Sequence, residues 1–335
     1  MKYIRMRLPI AVIMRNEMNN KNHDAIVILC SGLCLSEDIN PFSTSQWSTF
    51  AEKLLKANKT PADILDFNDD IQKELELDAN EISRIKKLLG RAASLAFEIE
   101  SLNRMGIYII TIADEQYPSK IKQVLSKKSP PLFYYCGNLD LLNNDLVGFV
   151  GSRNASSDDI DYTKRAVKHF LNKGYSIVSG GAKGVDKTAT EFAIDNGKFA
   201  VEVLADSLTR RIKDPKIYKA IIENRLLLLS QSEPSEHFKI GLAMQRNKYI
   251  YSLSKFTIVV KSDYKKGGTW SGAKEAIDKK YTDVCCWDNI RYFGNQELIK
   301  LRASKIDENF NIIKNNIYKN KPTEIKQLSF FDSEE

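Results

Sequence analysis

Long apolar runs are missing from this 335-residue chain. The longest, LPIAVIM at Leu8 to Met14 and AIVILC at Ala25 to Cys30, fall far short of the ~20 residues a membrane-spanning helix requires. The first has no small-residue cleavage site and is closely followed by charge, which argues against a secretory leader. A cytoplasmic location without a membrane partner is expected. Cysteine is scarce and unpaired: Cys30, Cys34, Cys136, Cys285 and Cys286 form an odd set without CxxC spacing, and His23, His169 and His237 are scattered. Neither set supplies a zinc site, so free buried thiols and no metal or cofactor are expected.

Two nucleotide signatures are also lacking. A dinucleotide fingerprint requires GxGxxG after a first strand and an acidic residue about twenty positions on, for the ribose. Here the glycine segment reads GFVGSRNASS, and the next strand ends in Ser179 and Gly180. NAD is disfavoured. The phosphate loop GxxxxGK[ST] does not occur, which removes support for an ATPase of that type.

What is present is globular. Hydrophobic residues make up 43% and aromatics 10%, enough apolar surface to offset chain entropy. The net charge of +7, from 50 Lys and Arg against 43 Asp and Glu, is compatible with a polyanionic partner without demanding one.

The texture changes twice along the chain. Residues 1 to 105 carry helical periodicity, as in WSTFAEKLLKA and EISRIKKLLGRAASLAFEIESL, and predict a small helical domain. From residue 106 to 305, apolar runs alternate with amphipathic helices: YIITI, LFYYCG, FVG, SIVSGG, FAVEVL, LLLLS, FTIVVK and VCCW. Near-continuous apolar strands are what a parallel sheet covered on both faces needs. The predicted fold class is therefore α/β, a doubly wound and mostly parallel Rossmann-like sheet. Residues 306 to 335 are rich in Asn and Lys and read as a short helix and a flexible tail.

In such sheets ligands bind beyond the carboxyl ends of strands. The unusual polar residues fall there. Gly151, Ser152 and Arg153 close one strand, with Ser156 just beyond; Ser179, Gly180, Gly181, Ala182, Lys183 and Gly184 close the next; Gly267, Gly268 and Thr269 follow a third. Glycines admit an oxyanion to the backbone, hydroxyls donate, and cations supply charge, which together describe a phosphate cradle. Any one of these loops alone is more simply a tight turn. A fourth element, AMQRNKYIYSLS, places Arg246, Asn247 and Lys248 at what reads as a helix start, where cations oppose the macrodipole and an anion would relieve them. A solvated cation cluster is the alternative.

Taken in order, YIITIADEQYPSKIKQVL, PPLFYYCGNLDLL, GFVGSRNAS, IVSGGAKGVDKTATEFAI, QRNKYIYSLS and GNQELIKLRASKID resemble the DprA/Smf family, over about Tyr108 to Ile306. That resemblance implies a sterile-alpha-motif-like N-terminal domain and a Rossmann-like domain that binds single-stranded DNA without catalysis and hands it to the RecA recombinase, typically as a homodimer. The family's DNA pocket maps onto Gly151, Ser152, Arg153, the Ser179 to Gly184 loop, Arg246 and Asn247. Tyr249 and Trp270 are aromatic neighbours placed to stack on bases.

The chain departs from the family pattern at Ala189-Thr190, where an Ala-His pair is usual, at Ala243, where Phe is usual, and in GGTWSGAKEAI. A winged-helix domain after the Rossmann-like part is expected to be missing or reduced. GGTWSGAKE faintly resembles the motif of nucleoside-monophosphate phosphoribohydrolases, which would make Glu275 an acid/base candidate. A solvated helix position is the simpler reading of it. A nucleotide-sensing module of antiviral defence on the same fold is a third class. In the tail, QLSFF resembles a bacterial sliding-clamp-binding motif, with Gln327, Leu328, Phe330 and Phe331 as contacts; docking of those phenylalanines on their own domain is the alternative.

Overall fold

The computed structural model describes residues 21–36 and 38–314. Five helices come first: α1 (Lys21–Cys30), α2 (Thr44–Lys56), α3 (Asp69–Glu74), α4 (Ala79–Gly90) and α5 (Ala92–Arg104). Their starts follow capping chemistry. Ser43 with Gln46 and Asp78 with Glu81 form reciprocal capping boxes on α2 and α4. Ile26, Leu29, Trp47, Phe50, Leu54, Ile85 and Leu88 make their shared core. Arg91 is buried and donates to the carbonyls of Ile28 and Ser31, at 2.6 and 2.7 Å, satisfying acceptors that the end of α1 leaves open.

The α/β part begins with β1 (Tyr108–Thr111), α6 (Ser119–Leu125) and β2 (Leu132–Gly137). It continues through β3 (Leu146–Val150), α7 (Ser157–Asn172), β4 (Ser176–Ser179), α8 (Val185–Asp195), β5 (Ala200–Leu204), α9 (Leu208–Arg211), α10 (Pro215–Ile222) and β6 (Leu226–Ser230). Then come α11 (Ile240–Leu253), β7 (Phe256–Val259), α12 (Gly267–Lys279), β8 (Asp283–Trp287), α13 (Phe293–Lys300), β9 (Ser304–Ile306) and β10 (Ile312–Ile313). One sheet of ten strands runs β1-β2-β6-β5-β4-β3-β7-β8-β9-β10. From β6 to β9 every pairing is parallel; β1 with β2, β2 with β6 and β9 with β10 are antiparallel.

Alternation along the strands builds a core on each face. Val147, Phe149, Leu226, Leu228 and Cys285 pack under α7, α8 and α10, together with Val27, Leu95 and Leu102 of the helical region. Leu146, Val150, Leu227, Leu229 and Cys286 pack under α6, α11 and α12 through Ile121, Ile250 and Ala273. This is the doubly wound arrangement expected from strands apolar on both sides.

One expectation changes. Ile312 and Ile313, read as part of a helix, form β10 against Ile306 and Lys305. Phe310, in the turn before them, adopts φ +62° and packs on Tyr162 at 5.5 Å, so a β-hairpin closes this edge. The rest of the tail, with Gln327, Leu328, Phe330 and Phe331, lies outside the described residues, as does Leu8 to Met14. Among the described residues no helix is long and apolar enough to cross a membrane.

Candidate functional site

The chain winds outward from β3 through β4 and β5 to β6, then returns to lay β7 on the other flank of β3. Loops leaving β3 and β7 therefore part in opposite directions, and a crevice opens where they separate. A cleft of about 630 Å³ occupies that place.

One wall is the β3 loop, with Gly151, Ser152 and Arg153. It is tied to the next loop by the Val185 N–H, which donates to the Ser152 carbonyl at 3.4 Å. The opposite wall is the start of α12. Gly267, Gly268 and Thr269 line the cleft, and Lys266 precedes the helix without a side-chain cap, so the first-turn N–H groups have no acceptor within the helix. Thr269 Oγ1 donates to the Gly151 carbonyl at 3.1 Å, joining the two walls at their base. Asn247 Nδ2 donates to the Gly268 carbonyl at 3.0 Å and fixes α12 to α11.

The floor is Arg246. It is 6% exposed, and its Nε and Nη1 have no hydrogen-bond partner among the described residues. Its nearest carboxylate is Asp186, Nη1 to Oδ2 3.6 Å, too long for a good hydrogen bond. Burial pushes Asp186 up to about 6, against the opposing pull of Arg246 and of the Gly151 and Gly180 N–H groups. Burial also pulls Arg246 down from its ordinary value, while guanidinium remains a cation at neutral pH. An unsatisfied buried donor costs about 1–3 kcal/mol, more when charged, so an oxyanion entering the cleft would find donors already stripped of water.

Arg153 stands at the rim, exposed, with its guanidinium 4.5 Å from the Phe238 ring centroid. Arg153 and Arg246 thus belong to one cleft, joined there by Lys261, Lys265 and Lys266.

Several sequence-predicted residues serve elsewhere. Ser179 is fully buried and its Oγ donates to the Phe149 carbonyl at 2.5 Å, stitching β4 to β3. Ser156 caps α7 in a capping box with Asp159. The loop Gly180–Gly184 flanks the cleft, with Ala182 lining it, Gly181 half-buried and Lys183 exposed. Arg246 is not at a helix start, because α11 begins at Ile240; the macrodipole argument does not apply, and desolvation is what strains this cation. Lys248 turns to the other side of α11, with Glu275 and Lys128 as its charged neighbours and Tyr249 beneath its ammonium. Tyr249 is 1% exposed, hydrogen-bonded to Gln231 and packed edge-on against Phe133, and cannot receive a base. Trp270 does line the cleft, although only 6% exposed. Glu275 lies outside the cleft. Its Oε1 accepts from Lys279 at 2.7 Å and Tyr281 at 2.9 Å, and these bonds outweigh burial to hold it below the usual carboxylate range.

Sequence reasoning missed Asp186 and an apolar lip of Phe238, Ile240 and Met244, which are 42%, 72% and 46% exposed. Asp186 carried a readable signal, an acidic residue two positions after a glycine loop among apolar helix positions. The lip carried a faint one, Ile240 and Met244 four positions apart in the first turns of α11, while Phe238 precedes the helix outside any periodic run.

A doubly wound sheet with a crevice at its chain reversal defines a Rossmann-like protein, and here that crevice is cationic and walled by glycines. The family described as DNA recombination-mediator protein A matches residues 108–316, more than half of the chain, and the chain belongs to that family. DNA processing protein DprA of Streptococcus pneumoniae is 32% identical over 160 residues, covering 47% of this chain and 55% of that protein. DprA of Bacillus subtilis is 27% identical over 190 residues, covering 53% and 63%. The matches thus span under two-thirds of these relatives. Among solved structures, S. pneumoniae DprA superposes with a TM-score of 0.55 at 24% identity, covering 78% of this chain and 92% of that one. Helicobacter pylori DNA processing protein A, whose structure is described for its single-stranded DNA binding mode, gives 0.50 at 25% identity, covering 59% and 90%.

Proposed function

We propose that this protein binds single-stranded DNA in the cleft, as a non-catalytic DNA-processing protein that assists loading of a RecA-type recombinase. The observation that carries the reading is Arg246: a buried guanidinium with two unpartnered nitrogens, at the floor of a crevice walled by Gly151–Arg153 and the uncapped start of α12. A backbone phosphate fits there, its oxygens taking donors from Arg246, from the α12 amides and from Ser152, with Arg153 and Lys266 at the mouth. The apolar lip beside Arg153 offers a surface for a base. The single-stranded DNA binding mode described for the H. pylori relative supports the ligand class. The phosphoribohydrolase alternative loses its acid/base candidate, since Glu275 is held away by Lys279 and Tyr281.

A fluorescence-anisotropy titration against oligo-dT, duplex DNA and mononucleotides tests the reading. Preference for the single strand is expected; tighter binding of a mononucleotide, or release of free base from it, would move the protein to another class. A homodimer and a sliding-clamp contact through Gln327, Leu328, Phe330 and Phe331 belong to the same proposal. Phe330→Ala with Phe331→Ala should abolish co-elution with the clamp, and an unchanged profile would dismiss the contact.

A further inference from the structure

The cleft continues outward along the carboxyl edge of the sheet. Trp270, in its wall, meets Tyr264 edge-on at 4.9 Å, and Tyr264 meets Phe293 edge-on at 5.0 Å. Phe293 is 59% exposed and Ile290, three residues before it, 90% exposed. Core aromatics are not left in water this way, and isolated exposed apolar residues are common. Here Phe293 is the outer end of a row whose inner end, Trp270, lines the cleft, and Ile290 stands in the turn Asn289 to Tyr292 just before it.

Cations accompany the row. The Lys265 ammonium lies 5.0 Å from the Tyr264 ring centroid. Lys261, in the cleft wall, lies 5.4 Å over the Tyr292 ring, and the Arg291 guanidinium lies 6.0 Å over the same ring. Asp263 is exposed in the same stretch, and Arg291 pairs with Asp158 at 3.1 Å. Both partners of that pair are about 60% exposed, and such surface pairs hold little energy, so a phosphate can compete for Arg291.

The row is also rigid. A Cβ on Gly294 would stand 2.1 Å from the Ser262 carbonyl oxygen, so glycine alone lets the start of α13 close on the 262–264 loop. Buried Asn295 then donates to the carbonyls of Val260 and Trp287, at 3.0 and 3.1 Å, which locks α13 to the ends of β7 and β8.

We propose that a single-stranded nucleic acid leaving the cleft runs along this row, its bases against Tyr264, Phe293 and Ile290 and its phosphates beside Lys265 and Arg291. The proposal rests on the cleft being a single-strand site. Alternating apolar platforms and cations are what such a strand requires, since every base has a stacking face and every linkage a charge. Continuity with the cleft and the charge of the flanking side chains favour this occupant over a second copy of the chain.

The test uses the full chain with two oligo-dT probes, of about four and about sixteen nucleotides, the range over which single-strand sites run. Phe293→Ala with Ile290→Ala should weaken the longer probe by roughly fivefold or more, the loss of at least one stacked base, and leave the shorter unchanged. Arg291→Ser should lower the salt slope of the longer probe alone, by ~0.7 for the lost contact. Unchanged affinity for the longer probe, or equal losses for both lengths, overturns the proposal while leaving the cleft intact. Loss of self-association in sedimentation with DNA binding unaltered assigns the face to a second copy and likewise overturns it. Failure of the unsubstituted chain to bind either probe rejects the cleft itself.

Discussion

Gly180 and Arg246 compete for the same space: a Cβ on Gly180 would fall 1.5 Å from Arg246 Nη1. The residue that follows β4 with no side chain is therefore what allows α11 to deliver its buried cation to the cleft floor. Gly180→Ala is expected to displace the guanidinium and reduce single-strand affinity roughly 10- to 100-fold, the equivalent of one hydrogen bond to a charged group. Anisotropy measures it, and circular dichroism should show an unaltered fold. Retained affinity would show that Arg246 does not contact the ligand.

Arg153 makes a different contribution, because it is exposed and stacked on Phe238 rather than buried. Arg153→Ala should lower the magnitude of the oligo-dT salt slope by ~0.7, one phosphate contact, with thermal stability unchanged. Identical affinities at every salt concentration would remove Arg153 from the interface.

Asp186 gives the cleft a pH dependence whose sign follows from its raised value. Folded Asp186 titrates near 6 and the free side chain near 3.8. Between those values the folded state binds more protons, so this group's contribution to stability is full below about pH 4 and is lost as pH rises toward and through 6. Protonation also removes the negative charge facing Arg246. DNA binding should therefore tighten as pH falls through 6, and Asp186→Asn should flatten that rise. The measurement belongs in a His237→Gln background, which removes the imidazole next to Phe238. A rise that survives Asp186→Asn there would place the proton elsewhere.

Tyr249 and Phe238 separate packing from recognition. Tyr249→Ala should destabilise the fold by about 3–5 kcal/mol, as for a large buried aromatic, measured by urea unfolding. Phe238→Ala should leave the unfolding midpoint in place and weaken DNA binding. The reverse pattern would mean that the exposures of the two rings do not govern their roles.

Much of this architecture was legible because parallel strands buried on both faces must be apolar throughout, as LLLLS and VCCW are, and because glycines cluster where strands end. The three glycine segments and Arg246 could be gathered to one edge by topology alone. What escaped was set by tertiary context. Ile240 begins α11 behind Lys239, which offers no side-chain cap, so in the sequence the charged QRNK stretch reads as the start. Ser179 reads as a ligand hydroxyl, yet it is the last residue of its strand and turns to β3. Tyr249 lies beside three polar residues in sequence, but helical spacing sends it with Ile250 and Leu253 into the core. Ile312 and Ile313 had the composition of either element, and only their neighbour β9 decides.

The reversal between β3 and β7 also bears on biosynthesis. These neighbouring strands are separated in sequence by residues 151 to 255, so an emerging polypeptide holds Arg153 long before its counterpart from α11 exists. Until β7 arrives, β3 is an open, apolar border ready to pair with another chain. A truncation or ribosomal stall before Phe256 should thus yield aggregates rather than a weakened binder.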